Sequence, residues 1–367
     1  MTSTPSGPET ERPVARPPGS AAGGIRFPWP FLVFAFLGLA SVWILSGQKP
    51  DLKALSGVRF GPLALAAALA VLAIGLDAFR LQLLCWLGLM RLPFFEAVRL
   101  VLVYAFFSAI TPSSLGGEVS MVWLLVRRGF STGAAAAVTG MKTFLPVLVG
   151  VLAFPTIALA EPEQFHEFLR RAGPVVAVIA AVVAALLVLA FAARAILKKR
   201  LALAPSVRAA RAQYLDFLRR TLDWIEKTAQ DGWDLLYGGF RNRPLVFIGA
   251  GLLTIGHALA YLSIVPLCAA AFSDNVHYWE CIAGAAIVEL LVVFMPTPGG
   301  SGGAEAGIAV VVKGFVRPSS LVWVVLFWRL IATHMRVISG GALTVRLFHE
   351  MQRTRAAGVA DPAEANP

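Results

Sequence analysis

A chain of 367 residues that is 57% hydrophobic and only 14% charged, with its apolar residues gathered in long runs, is not a large water-soluble protein; it reads as a polytopic helical membrane protein. The formal net charge of +11 does not point to nucleic acid, because Lys and Arg gather in loops beside apolar spans, where the positive-inside rule accounts for them. Three scattered cysteines, Cys85, Cys268 and Cys281, signal neither a disulfide framework nor a zinc site and read as packing residues.

Residues 1–25, rich in Pro, Gly, Ser and Thr and without a cleavable-signal pattern, predict a disordered cytoplasmic tail. A first span is expected from about Phe27 to Ser46 and a second from about Pro62 to Leu87, which carries Asp77 and Arg80 three residues apart on one helix face. A charge inside a span costs roughly 2.5 to 3.5 kcal/mol, so these two are expected as an ion pair, either holding the helix in the bundle or lining a substrate pathway. The third span, about Phe94 to Ile110, runs into a Pro/Gly break that includes Thr111, Pro112, Gly116, Gly117 and Glu118, and a short helix from Val119 to Val126 follows. Eight residues cover only about 12 Å of a hydrocarbon core roughly 30 Å thick, which predicts a re-entrant hairpin rather than a crossing.

The fourth span, about Ala134 to Ala160, carries Lys142, and the loop after it holds Glu161, Glu163 and Glu167, which suits the outer side. A fifth span, about Pro174 to Ile196, delivers the chain to its most basic loop, 198–243. There Tyr214, Leu215, Leu218, Leu222 and Ile225 recur at three- and four-residue steps, predicting a cytoplasmic amphipathic linker on the inner leaflet with anionic-lipid contact. The sixth span, about Val246 to Ala271, contains His257, read as a satisfied core histidine, and the seventh, about Cys281 to Met295, bears Glu289. A second break with Thr297, Pro298, Gly299, Gly300, Gly302, Gly303 and Glu305 leads through a short helix, Ala304 to Val312, into an eighth span, about Leu321 to Leu347. Residues 348–367 are expected as a cytoplasmic tail, on the same side as the N-terminus.

The two breaks are copies of one pattern. Thr111 to Thr297, Gly129 to Gly314 and Lys142 to Arg329 are 186, 185 and 187 residues apart, and so near-constant an offset reads as an internal duplication. Three crossings separate the copies, so the duplication is expected to be inverted, with halves of about 27–160 and 174–347 inside a membrane domain of 26–347. The predicted fold is therefore an all-α polytopic membrane protein of about eight transmembrane helices plus two broken or re-entrant helical hairpins in an inverted repeat.

Backbone polar groups exposed by a Pro/Gly break survive at membrane depth only inside protein or beside a water-filled cavity, so both breaks should face inward. The helices that begin near Glu118 and Glu305 aim positive dipole ends into that space. One role for each glutamate is stabilisation of its own helix start; the other is binding of a proton, a sodium ion or a lipid amine, with Lys142 and Arg329 holding phosphate. Arg329, Thr333 and Arg336 fall at i, i+4 and i+7, a polar stripe on an otherwise apolar helix, with Arg336 also able to snorkel to the inner interface. Gly299-Gly300-Ser301-Gly302 fits an intramembrane serine protease, with His334 as its base, but the first copy carries no matching serine. No Walker A pattern, metal cluster or cofactor motif is read.

These residues, Thr111-Pro112-Ser113-Ser114-Leu115-Gly116-Gly117-Glu118 with Arg128-Gly129, and Pro296-Thr297-Pro298-Gly299-Gly300 with Glu305 and Arg329, resemble the lysylphosphatidylglycerol synthase transmembrane family, prokaryotic proteins sharing a flippase-like membrane domain. The resemblance covers about Phe27 to Leu347. It implies a protein of the prokaryotic inner membrane that moves or presents lipids and handles their head groups at the breaks. It also marks a departure, Lys142 standing where the family more often has arginine. The bifunctional relatives carry a soluble lysyltransferase domain, for which no residues are expected here, so the expectation is a non-enzymatic lipid translocase, with a membrane scaffold or regulator as the alternative. The expected partners are membrane lipids, a second copy of the chain or a separate lipid-modifying enzyme, and no nucleic acid.

Overall fold

A computed structural model describes residues 52–87, 90–111, 114–160, 230, 232–234, 237–292, 295 and 297–356, with side chains described as far as 149 in the helix ending at 160 and 353 in the last. The expected first and fifth spans, Phe27 to Ser46 and Pro174 to Ile196, lie outside the described residues, as do the tail 1–25, most of the linker 198–243, Pro112 and residues 357–367. The described elements are helices: α1 Phe60–Leu87, α2 Phe94–Ile110, α3 Leu115–Val126, α4 Thr132–Ala160, α5 Pro244–Leu262, α6 Ile264–Ala270, α7 Tyr278–Val292, α8 Gly303–Val312, α9 Pro318–Arg329 and α10 Met335–Ala356. A single π turn, Leu330–His334, joins the last two.

Among the described residues four stretches are long and apolar enough to cross a membrane: Phe60–Leu87, Thr132–Val149, Pro244–Ala270 and Pro318–Arg353. The expected spans that lead into the breaks are shorter. With 17 and 15 residues, α2 and α7 reach about 25 and 22 Å, less than the roughly 30 Å of hydrocarbon.

The element around which the rest is arranged is α1. Its buried residues Ala66, Ala70, Ala73, Asp77, Arg80, Leu81 and Leu84 recur at three- and four-residue steps and so form one stripe. The alanines let neighbouring backbones come close, which is what helix packing in a bilayer rewards. Two apolar clusters meet along this stripe. Leu63, Ala66 and Ala70 pack with α6, α7, α8 and α9. Ala78, Leu81, Leu84 and Cys85 pack with α2, α3 and the start of α4. Asp77 and Arg80 sit at the seam between the two clusters. All three cysteines are buried and unbonded, as packing residues should be.

The outer faces are apolar as well. On α5 the residues Leu245, Ile248, Leu252, Ile255 and Leu259 make an exposed stripe, while Val246, Ala250, Thr254 and Ala260 are buried. A helix that turns leucine and isoleucine outward and a threonine inward is built for lipid rather than water.

Boundaries differ from the sequence expectation where a local bond decides. The sixth span is interrupted at Ser263, between α5 and α6, because Pro266 supplies no N–H to the Leu262 carbonyl. Ser263 Oγ donates instead to the Leu259 carbonyl at 2.5 Å. The last span starts at Pro318 and its helix continues to Ala356, into the stretch expected as tail. Close to that end Arg99 of α2 pairs with Glu350 at 2.6 Å.

Glycine decides how α10 meets α2. A Cβ placed on Gly340 would lie 2.0 Å from the Leu102 carbonyl oxygen, and one on Gly341 would press on the Phe106 ring at 3.1 Å. Replacement Gly340→Val should therefore overpack against backbone that cannot yield, costing about 1 to 3 kcal/mol. The apparent melting temperature of the purified protein should fall by several degrees, whereas Gly251→Ala, at a glycine with nothing within 4 Å, should leave it unchanged or slightly raised.

Candidate functional site

The first break is held together by one threonine. Thr111 Oγ1 donates to the Phe107 carbonyl at 2.7 Å and accepts the Gly116 N–H at 2.8 Å, closing the end of α2 and opening α3 at the same atom. That capture explains why α3 begins at Leu115 rather than at the expected Val119, bringing Gly116, Gly117 and Glu118 into its first turn. Ser114, just before it, takes the left-handed conformation, φ 59°. Both glycines are required by proximity: a Cβ on Gly116 would lie 2.4 Å from Thr111 Cγ2, and one on Gly117 would fall 1.8 Å from Ser108 Oγ.

The second break is built differently from the same residue types. Thr297 Oγ1 donates to the Ser301 carbonyl at 2.9 Å, and Gly299, Gly300 and Gly302 all take positive φ, at 58°, 64° and 91°. A Cβ on Gly300 would meet Val292 Cγ1 at 2.4 Å, and one on Gly303 would meet Met295 Cε at 2.4 Å. Gly299 lies against Ala109 at the end of α2, where an added Cβ would fall 3.4 Å from the Ala109 carbonyl oxygen. The two breaks are thus in contact, Pro298 following Thr297 into this loop.

Three groups of polar side chains lie among these helices, and one of them reaches Gly299 through Arg329. In the first, Arg80 Nη2 donates to Asp77 Oδ1 at 2.5 Å and Lys142 Nζ lies 3.1 Å from Asp77 Oδ2. Arg80 Nη1 reaches Thr254 Oγ1 of α5 at 3.4 Å, while its Nε is buried without a hydrogen-bond partner. Lys142 Nζ also lies 4.0 Å from the centre of the Tyr104 ring. That tyrosine's hydroxyl donates to Glu118 Oε1 at 2.8 Å, and Thr143 Oγ1 donates to the same oxygen at 2.7 Å.

In the second group Arg329 Nε donates to Glu305 Oε1 at 2.7 Å, and the other carboxylate oxygen accepts the Gly302 N–H at 2.7 Å, capping α8. Arg329 extends its remaining nitrogens to Thr333 Oγ1 at 3.3 Å and the Gly299 carbonyl at 3.4 Å. The third group stands between them. Tyr261 of α5 donates to Glu289 Oε1 at 3.2 Å, stacks on His257 with ring centres 6.1 Å apart, and lies under the Arg336 guanidinium at 4.7 Å. His257 Nδ1 meets the Ala73 carbonyl at 2.9 Å, the satisfied core position expected for it.

The structure therefore joins Asp77, Arg80 and Lys142 in one ion cluster and Glu305, Arg329 and Thr333 in another. Lys142 does not reach Glu118 directly; it takes Asp77, with the Tyr104 ring between it and the glutamate. Arg336 leaves the expected stripe because the π turn shifts its phase. Its Nε donates back to the Ala332 carbonyl at 2.7 Å, and its head rests on Tyr261 rather than beside Arg329. The residues that sequence reasoning left out are Tyr104, Thr143, Thr254 and Tyr261, and it gave Glu289 no role. A tyrosine in the middle of a span, away from the interfaces where aromatic residues gather, was the available signal.

Formal charges balance here, with Asp77, Glu118, Glu289 and Glu305 against Arg80, Lys142, Arg329 and Arg336. Fold and site together define a multi-pass α-helical membrane protein with a polar core of four acidic and four basic side chains near its two helix breaks. The chain belongs to the lysylphosphatidylglycerol synthase TM region family, whose profile matches residues 27–340. Comparison with curated proteins gave no match. Family membership places the protein among membrane proteins related to lipid handling.

Removing the shared anion of the first cluster should be severe. Asp77→Leu leaves Arg80 and Lys142 buried side by side, which should destabilise the protein by about 3 to 5 kcal/mol. The double variant Asp77→Leu/Lys142→Met should recover part of that loss, and a melting-temperature cycle over the single and double variants reads the difference.

Proposed function

We propose that the protein is a lipid translocase, flippase-like and without enzymatic activity of its own, handling phospholipid or related amphiphile head groups at the two broken helices. In this reading it resides in a prokaryotic inner membrane with both termini cytoplasmic, as about eight spans with the two hairpins related as an inverted repeat. The observation that carries it is the contact between the breaks, Gly299 on Ala109, with a carboxylate and a cation delivered close to each. Discontinuous helices meeting inside a bundle mark the binding sites of many secondary transporters.

The ion pairs themselves suggest how a head group enters. Parting a buried pair with nothing in its place costs about 3 to 5 kcal/mol, so an uncharged visitor is excluded. A phosphate offers Arg329 or Lys142 a replacement for the carboxylate it leaves, and an amine offers Glu305 or Glu118 a replacement for its cation or hydroxyl donors. Exchange of partners keeps every charge compensated. The apolar outer faces leave the acyl chains in lipid while the head group is exchanged inside. With no Walker A pattern in the sequence, movement in this reading is passive, ion-coupled or driven by a partner.

Ser301 has its place in this loop as a backbone element, its carbonyl accepting from Thr297, and His334 Nδ1 meets the Arg329 carbonyl at 2.9 Å inside the π turn. Both positions are explained by the break and the helix, without peptide hydrolysis.

The test is transbilayer movement of head-group-labelled phospholipids in vesicles containing the purified chain. Glu118→Gln together with Glu305→Gln should slow movement at least about tenfold, as loss of one charge-assisted contact from each break implies, and Ser301→Ala should leave it intact. Movement undiminished in the double variant removes the basis of the proposal. Wild-type protein that moves no lipid yet retains a lipid-modifying enzyme or a second copy as partner would favour the scaffold reading.

A further inference from the structure

Of the four acidic residues in the polar core, Glu289 is held most weakly. Asp77 has two cations, Glu305 has Arg329 and a backbone N–H, and Glu118 has two hydroxyls at under 3 Å. Glu289 has the Tyr261 hydroxyl at 3.2 Å and, among the described residues, no cation in ion-pair contact. An ionised carboxylate in a membrane core with no cation in contact is costly, and a bound proton removes that cost.

The neighbours of Glu289 decide what its proton would do. From α5 it faces Tyr261, with His257 stacked behind; from α10 it faces Arg336; from α9 it faces Arg329, already committed to Glu305 of α8. The charged residue of α4 is Lys142, committed to Asp77, and on its own helix α7 the other acid, Glu280, is bonded to His277 at 2.6 Å. Arg336 is thus the one described cation in this set without a carboxylate in ion-pair contact. Its Nε is spent on the Ala332 carbonyl, and its head lies on the ring of the same tyrosine whose hydroxyl touches Glu289. Both residues therefore touch one tyrosine, Arg336 at its ring face and Glu289 at its hydroxyl.

We propose that Glu289 is a proton-binding site and that its proton determines whether the Arg336 guanidinium is available to an anionic head group. When Glu289 is protonated it accepts the Tyr261 hydroxyl as a neutral group, and Arg336 is left to bind phosphate. When Glu289 loses the proton its carboxylate draws Arg336 across the edge of Tyr261, and the phosphate loses its partner. Proton and anionic lipid consequently bind together, and affinity rises as pH falls. The second half of this proposal rests on the head-group reading above; the first half does not.

Two measurements on the full chain in nanodiscs separate them. Infrared difference spectra across a pH titration should show a protonated-carboxyl stretch that is lost at high pH, is missing in Glu289→Gln and persists in Glu118→Gln. Binding of short-chain phosphatidylglycerol should tighten with falling pH by at most about tenfold per unit, the limit for one linked proton. In Glu289→Gln binding should stay tight at every pH, and in Arg336→Gln it should stay weak at every pH. Absence of the Glu289 band, or a pH dependence that survives in Glu289→Gln, overturns the proposal. Wild-type binding that is equal at all pH values overturns it while leaving the head-group reading in place. A wild type that binds no phosphatidylglycerol overturns the head-group reading instead, and the carboxyl band alone then decides the proton site.

Discussion

The rest of the structure depends on the Asp77 carboxylate, held between Arg80 at 2.5 Å and Lys142 at 3.1 Å. It lies where the two apolar clusters adjoin on α1, so this cluster fixes the long helix to α4 and, through Arg80 and Thr254, to α5. In water such a triad would add little to stability. Between lipid-facing helices its charges have no alternative partner, and its geometry becomes a condition for assembling the bundle.

The same lack of water explains the breaks. A chain interrupted at Thr111–Ser114 and again at Thr297–Gly302 exposes N–H and C=O groups that hydrocarbon cannot satisfy. Each copy answers with a threonine hydroxyl that bonds across its own gap, and with glycines that bring the next helix so close that a single methyl group would collide. The polar core is thus a by-product of folding constraints as much as of chemistry.

Much of this was legible in the sequence. Pairs such as Asp77 and Arg80 lie on one face by helical spacing alone, and the two Thr-Pro and Gly-Gly motifs announced themselves by repetition. The limits of α2 fell where the third span was expected, because a proline before it and a Thr-Pro after it leave no choice. The choice of partner was not legible. Whether Lys142 takes Glu118 or Asp77 depends on the rotation of α4 against α1, and whether Arg336 continues the Arg329 stripe depends on a π turn that no local pattern encodes. Hydroxyl partners such as Tyr104, Thr143 and Tyr261 were invisible for the same reason, since a tyrosine reads as packing until its neighbour across the bundle is known.

The two break motifs are held in the different ways that the chemistry of their cations allows. Arginine presents a planar fork, and Arg329 uses it to hold Glu305, Thr333 and the Gly299 carbonyl at once, binding the second break to its own helix. Lysine presents a compact point charge, and Lys142 is shared between Asp77 and the face of Tyr104, leaving Glu118 to hydroxyl donors. Each break is therefore locked through a glutamate carboxylate, the second by a guanidinium and the first by two hydroxyls. Both sets of bonds are charge-assisted, but only the second sets a full counter-charge against its glutamate.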